Sequence, residues 1–137
     1  MPPLARWYIK IAMLSLVAAL LAGVVVAAGG LRQVPPVVAA LWPTYVHLLV
    51  VGWITEMIFG VAYWMFPKAS PERPRGNDAL AIATFVALNV GLGLRVIAEP
   101  WNAVHPAPAL GALLVAAAGL QWLAGLGFVA ATWPRVR

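Results

Sequence analysis

Two ionisable residues, His47 and Glu56, interrupt an otherwise apolar stretch that runs from Tyr45 to Pro67. Either side chain is costly inside a bilayer, so each marks a candidate functional position. Arg95 and His105 lie in or beside later apolar runs. An imidazole can ligate a metal through one ring nitrogen, and a guanidinium can hold a carboxylate or a propionate by charge-assisted hydrogen bonds. These residue types indicate a cofactor or a proton site within a membrane.

The composition identifies the chain as an integral membrane protein. Of its 137 residues, 64% are hydrophobic and only 9% are charged, which is too few to cover a soluble domain. There is no cysteine, so disulfides, iron–sulfur clusters and thiolate metal sites are excluded. The net charge of +5 indicates orientation in a membrane rather than nucleic-acid binding. We therefore expect lipid as a partner and no nucleic acid.

Four apolar segments are each long enough to cross a hydrocarbon core of roughly 30 Å. They cover about 7–29, 43–66, 78–98 and 107–133. The first is too long for the apolar region of a signal peptide, so we expect it to remain as a helix. The short loops predict one domain and an all-α membrane protein, an antiparallel four-helix transmembrane bundle.

Prolines and polar caps predict the limits of these helices. Pro43 suits the first turn of the second helix, and Pro67 ends it. Asn77 or Asp78 can cap the third helix, which we expect to end at Pro100.

Basic residues predict the orientation of the bundle. One set of span ends carries Arg6, Lys10, Lys68, Arg73, Arg75, Arg135 and Arg137, whereas the opposite ends carry Arg32, with Arg95 inside the third helix. The positive-inside rule then places both termini in the cytoplasm, as in a multi-pass protein of the inner (plasma) membrane. Trp53 and Trp122 lie away from the span ends, so we expect them to pack inside the bundle.

Glu56, Asn89 and Gln121 each lie near the middle of their helix. Hydrogen bonds between helices, at about 1 kcal/mol each, are the structural explanation for the two amides. Glu56 should be protonated or paired across a subunit contact, and a proton-relay or quinone-binding role is the functional alternative. Gly52, Glu56 and Gly60 follow an i, i+4, i+8 spacing, so they share a face that admits another helix closely.

His47 and Arg95 are expected at matching depth, roughly 10–12 Å from the midplane on the outer side. Nine residues of α-helix place His47 opposite Glu56, on an apolar stripe that contains Val51, Ile54, Ile58 and Met65. Such a stripe suits haem held edge-on, with its iron bound to His47 and a propionate bound to Arg95. The structural alternatives are a hydrogen-bonded His47, and an Arg95 that pairs with Glu99 at i+4 or extends to the headgroups.

The segment from His47 through Gly52 and Trp53, which leaves the membrane as Gly60-Val-Ala-Tyr-Trp-Met-Phe-Pro67, resembles a helix of the haem–copper oxidase catalytic subunit. That superfamily includes the nitric-oxide reductases. The resemblance implies that His47 ligates low-spin haem b, with Trp53 a further candidate contact. That subunit has far more helices and metal-binding histidines than the two histidines here, so one chain cannot form the binuclear centre. The resemblance is therefore compatible with a membrane module that binds a single haem.

His105 is the candidate second ligand, provided that the loop from Pro100 to Pro108 dips inward. Otherwise the haem is five-coordinate or a second subunit supplies a ligand. A five-coordinate haem binds NO or O2, whereas a six-coordinate one is limited to electron transfer.

Three functions follow from these residues. The first is a haem-b-binding membrane protein for electron transfer or diatomic-gas binding. The second is a non-catalytic subunit of a homo-oligomer or of a larger membrane complex. The third is a small transporter that uses the midplane polar layer. Enzyme chemistry has little support, because no nucleophile–base set or phosphate-binding loop is present in the sequence.

Overall fold

The computed structural model describes residues 1–31 and 33–136, so the predictions for Arg32 and Arg137 lie outside the described residues. The described residues form helices joined by loops, with no strand among them. The elements are α1 (Pro3–Gly29), α2 (Pro36–Ala39), α3 (Trp42–His47), a π-helical segment (Leu48–Thr55), α4 (Glu56–Met65), α5 (Asp78–Val104), α6 (Pro108–Thr132) and a final 3-10 turn (Trp133–Arg135).

Four helices within the described residues are long and apolar enough to cross a membrane. We call them the first to fourth spans, and they run Pro3–Gly29, Pro36–Met65, Asp78–Val104 and Pro108–Arg135. This confirms the prediction of an all-helical chain with four candidate spans, as expected for a membrane protein.

Most of the predicted helix limits are confirmed. Pro43 lies in the first turn of α3, and α4 ends at Met65, before the extended Phe66. Asn77 is the N-cap of α5, because its side chain accepts a hydrogen bond of 3.2 Å from the Leu80 amide.

The predicted end of the third helix at Pro100 is wrong. Helix α5 continues to Val104, with Pro100 buried inside it. A proline in a helix removes one donor and crowds the carbonyl one turn earlier, at a cost of about 3 kcal/mol. Helices that pack against neighbours within a membrane tolerate this. One further turn follows, and the His105 amide closes it by donating to the Trp101 carbonyl at 2.7 Å.

The second span changes from α to π geometry directly after His47 and returns to α at Glu56. In a π-helix each hydrogen bond joins residues five apart, so His47 and Gly52 share one face. Gly52 is buried, and a β-carbon there would meet Ser15 of α1 and Leu92 of α5 at 2.8 Å. The second span therefore directs His47 toward its neighbouring helices.

The predicted apolar stripe beneath His47 is accordingly wrong, because it assumed an unbroken α-helix. Ile54, Ile58 and Met65 are exposed on the outside of the bundle, at 42%, 54% and 68%. His47 and Glu56 do not point in opposite directions, since both form hydrogen bonds with α5.

The Gly52 and Gly60 face of the second span packs against α1 of the same chain. A β-carbon at Gly60 would lie 2.6 Å from the β-carbon of Tyr8. Tyr8 also meets Phe85 edge-on, with ring centroids 4.8 Å apart. Phe59, next to Gly60, stacks on Phe128 of α6 at 3.9 Å. The close approach that the glycine spacing predicted is thus within one chain.

The predicted inward packing of Trp122 is wrong. Its side chain is 65% exposed, because Ala117 and Ala124, both fully buried, form the inward face of α6. These small side chains let α6 lie close to α5, and the indole points away from the bundle. Trp53 lies in the π-helical segment and is partly buried.

Arg135 joins the end of the fourth span to the end of the second. It is 2% exposed and donates hydrogen bonds to the carbonyls of Tyr63, Phe66 and Pro67, at 2.9–3.2 Å. These carbonyls have no partner within the end of α4, so the guanidinium acts as a C-terminal cap. We call this the Arg135 end of the bundle.

We expect Gly60→Ala to destabilise the protein by about 1–3 kcal/mol, because the added methyl group would collide with Tyr8. The matched control is Gly93→Ala in α5, where a β-carbon meets nothing within 4 Å. That change should be neutral or stabilising by up to about 1 kcal/mol, since alanine favours a helix. Unfolding in mixed micelles measures both, and equal stabilities would contradict the close packing of α1 on α4.

Candidate functional site

Three polar side chains meet around the Glu99 carboxylate, between the second span and α5. We call this set, Thr44, His47, Arg95 and Glu99, the Glu99 cluster. Arg95 donates to Glu99 Oε1 at 3.0 Å, and Thr44 Oγ1 donates to Oε2 at 3.4 Å. His47 Nδ1 lies 3.0 Å from Oε1 and 3.2 Å from Oε2. The carboxylate is therefore the common acceptor of three donors from two spans.

The surroundings of His47 define which ring nitrogen is protonated. Nδ1 faces the Pro43 carbonyl at 2.9 Å as well as Glu99, and both groups are acceptors. Nδ1 must therefore carry the hydrogen, and in the neutral ring Nε2 keeps its lone pair. No hydrogen bond joins Nε2 to another described residue. The side chain is 29% exposed, so the ring is held from one edge and is open at the surface.

The Arg95 guanidinium has one paired nitrogen and one that lacks a partner among the described residues. The predicted pairing with Glu99 at i+4 is confirmed at 3.0 Å. Its Nε is buried and has no hydrogen-bond partner among the described residues. One N–H of the guanidinium is thus available to an acceptor.

His105 is separated from the Glu99 cluster. His105 is six residues beyond Glu99, which at the helical rise is about 9 Å along the axis of α5. His105 is exposed, and its ring stacks on Trp101 with centroids 6.5 Å apart. The first part of the loop that was predicted to dip inward, Pro100 to Val104, is instead the last turn of α5.

A second polar pair lies in the middle of the bundle. Asn89 donates to Glu56 Oε1 at 2.8 Å and to the Phe85 carbonyl at 2.9 Å. Glu56 is fully buried, and its partner belongs to the same chain. The other oxygen, Oε2, and the Gln121 amide nitrogen are buried with no partner among the described residues. Two of the three predicted midplane residues are therefore bonded to each other.

The donor set of the chain is small. Within residues 1–31 and 33–136, no group of three or more His, Asp or Glu side chains could hold a metal ion. Metal ligation by this chain would thus use single imidazoles, of which His47 is the one anchored by a carboxylate.

The sequence predicted Glu99 only as a partner of Arg95, and its central position in the cluster was missed. Thr44 was missed altogether. The i+4 spacing of Arg95 and Glu99 was the available signal, since an Arg within a span needs a counter-charge. The contribution of His47 could not be found without the π-helical register.

The fold and the cluster define an all-helical membrane protein with an anchored imidazole. The comparisons with known proteins found no matching family model, curated protein or solved structure. The similarity of the second span to haem–copper oxidases therefore stays a prediction.

We expect Glu99→Gln to destabilise the protein by about 3 kcal/mol, because Arg95 would keep a largely buried charge without a counter-ion. The double variant Glu99→Gln/Arg95→Gln should recover at least about 1 kcal/mol of that loss. Glu72→Gln, at an exposed loop position, is the control. Strictly additive effects of the two single changes would show that the pair is not coupled.

Proposed function

We propose that the protein binds haem b through Nε2 of His47 and acts as a membrane module for electron transfer or for binding a diatomic gas such as NO or O2. The observation that carries this proposal is the anchored imidazole. A carbonyl and a carboxylate hold Nδ1, while Nε2 has no hydrogen-bond partner within residues 1–31 and 33–136. Ligating histidines are typically held in this way.

The residues around His47 fit one side of a haem. His47 supplies one nitrogen with a free lone pair. Arg95 supplies a buried Nε–H with no partner, a suitable donor for a propionate. Each chain offers one such set, so a second axial position would stay open or be filled by a second copy in a homo-oligomer.

The protein groups would orient the imidazole and tune its basicity. Glu99 accepts the Nδ1 hydrogen and increases the electron density available at Nε2. Thr44 and Arg95 fix the position of Glu99 in turn. Bound haem would supply reversible one-electron transfer or a site for a gas.

We also propose that the protein lies in the inner (plasma) membrane. Its spans are antiparallel, and both termini are in the cytoplasm. Support comes from residues grouped at the Arg135 end, where Pro2, Pro3, Tyr63 and Asp78 line one cavity of about 490 Å³. The same end carries most of the lysines and arginines, as the positive-inside rule requires of a cytoplasmic side.

Protein purified from cells with ample haem should show a Soret band and dithionite-dependent α and β bands. His47→Ala should lose this spectrum, whereas His105→Ala, the matched imidazole control, should keep it. Glu99→Gln should weaken haem binding by about tenfold, because a partner of the ligand is lost. Carbon monoxide added to the reduced protein then distinguishes an open axial position from a filled one.

The haem proposal has a direct rescue test. His47→Gly leaves space for free imidazole, which should restore the absorbance spectrum if the iron binds at this position. A wild-type protein without a Soret band, or a His47→Ala variant with an unchanged spectrum, would refute the proposal.

The chain has no cysteine, so single introduced cysteines report its topology. We expect a membrane-impermeant maleimide to label Gln33→Cys in spheroplasts, and to label Pro71→Cys only after lysis. Both positions are exposed loop residues. The reverse pattern would place the termini outside, and labelling of both positions in sealed spheroplasts would contradict the proposed spans.

A further inference from the structure

Glu56 has no role in the proposed haem site, yet it is the most completely buried acidic side chain of the protein. The chain has four acidic residues. Glu72 and Asp78 are exposed and Glu99 is paired with Arg95 and His47, whereas Glu56 is 0% exposed. The ion pairs among the described residues all involve Glu99, so Glu56 has no cationic partner there.

A carboxylate in such a place is stable only when it carries a proton, because burying the charged form without a counter-ion is costly. Oε1 already accepts a hydrogen bond from Asn89. The proton therefore belongs on Oε2, which has no partner among the residues that the structure describes. A water molecule is the acceptor that would complete this arrangement.

A small cavity lies inside the Arg135 end of the bundle, with Tyr8 and Phe59 among its lining residues. Its volume is about 20 Å³, enough for one water molecule. Its polar lining consists of Tyr8, Tyr63, Thr84, Thr132 and Arg135. Arg135 is 2% exposed, and its Nη1 has no partner among the described residues. A buried donor beside a cavity of this size is a site for ordered water.

The lining of the cavity ends about one helical turn from Glu56. Tyr8 packs against Gly60, which lies four residues, or about 6 Å, beyond Glu56 along α4. No hydrogen bond joins the Tyr8 hydroxyl to another described residue, so this hydroxyl can also bind water. On the other side of Glu56, Gly52 is packed tightly between Ser15 and Leu92. Water can thus approach Glu56 more easily from the Arg135 end than from the side of Gly52.

We propose that Glu56 is a proton-exchange site, which takes up a proton from water at the Arg135 end and releases it to the same end. In uptake the carboxylate accepts a proton from hydronium, giving the carboxylic acid and water. Asn89 of α5 is hydrogen-bonded to Glu56. Tyr8 of α1 packs against Gly60 about one turn away, and Phe128 of α6 stacks on Phe59. At the mouth of the cavity the ionisable neighbours are Tyr63, Arg75, Asp78 and Arg135.

Infrared spectroscopy tests this proposal independently of haem. The wild-type protein in lipid should show the C=O band of a protonated carboxyl group at neutral pH, and Glu56→Gln should abolish it. If that variant does not fold, Glu56→Asp should shift the band instead. His47→Ala should keep the band, so a failure of the haem proposal leaves this result unaffected.

Transfer into D2O tests the water path, because the band shifts when the proton exchanges. Tyr8→Phe and Thr84→Val should each slow this exchange by about tenfold, the factor for loss of one hydrogen bond of roughly 1.4 kcal/mol. Tyr45→Phe, near the opposite end of the bundle, is the matched control and should leave the rate unchanged. A missing carboxyl band, a band that Glu56→Gln retains, or exchange as fast in Tyr8→Phe and Thr84→Val as in wild type would overturn the proposal.

Discussion

The carboxylate of Glu99 is the interaction on which the polar end of the bundle depends. It neutralises Arg95, whose charge would otherwise be unpaired at 18% exposure, and it fixes the tautomer of His47. It also connects the second span to α5 through Thr44, a contact between residues 55 positions apart in sequence. A group with three donors and little contact with water is held more rigidly than a surface carboxylate, so the imidazole that it orients is held rigidly too.

The π-helical segment explains how one span can present both His47 and Glu56 to α5. It begins after the first residue and ends before the second. Each turn of a π-helix contains more residues than an α-turn, and the register of every later side chain is shifted. Without this shift, the α-helical count would leave His47 facing outward when Glu56 faces the core. Such segments recur at functional sites, because they reposition side chains at the cost of poorer hydrogen-bond geometry.

The sequence allowed the spans and their caps to be predicted, because apolar length, proline and Asn77 act locally. It did not allow the direction of His47 to be predicted, since propensity does not distinguish a π-turn within an apolar helix. The predicted helix end at Pro100 was wrong for a related reason. Tertiary packing stabilises a proline inside a helix, where local rules would place it at the helix end. The prediction that Trp122 packs inward was wrong because a span in lipid has apolar residues on both faces. Hydrophobicity therefore does not identify the inward face.

Helix α5 contributes to both polar sites, with Asn89 bonded to Glu56, and Glu99, paired with Arg95, bonded to His47. Asn89 and Glu99 are ten positions apart, which is about 15 Å along a straight helix. At that distance a charge on one site acts on the other only weakly across polar groups, but more strongly through an apolar interior. Leu92 lies between them, buried against Gly52. No hydrogen bond joins the two sites among the described residues, so α5 supports each polar site through its own set of contacts.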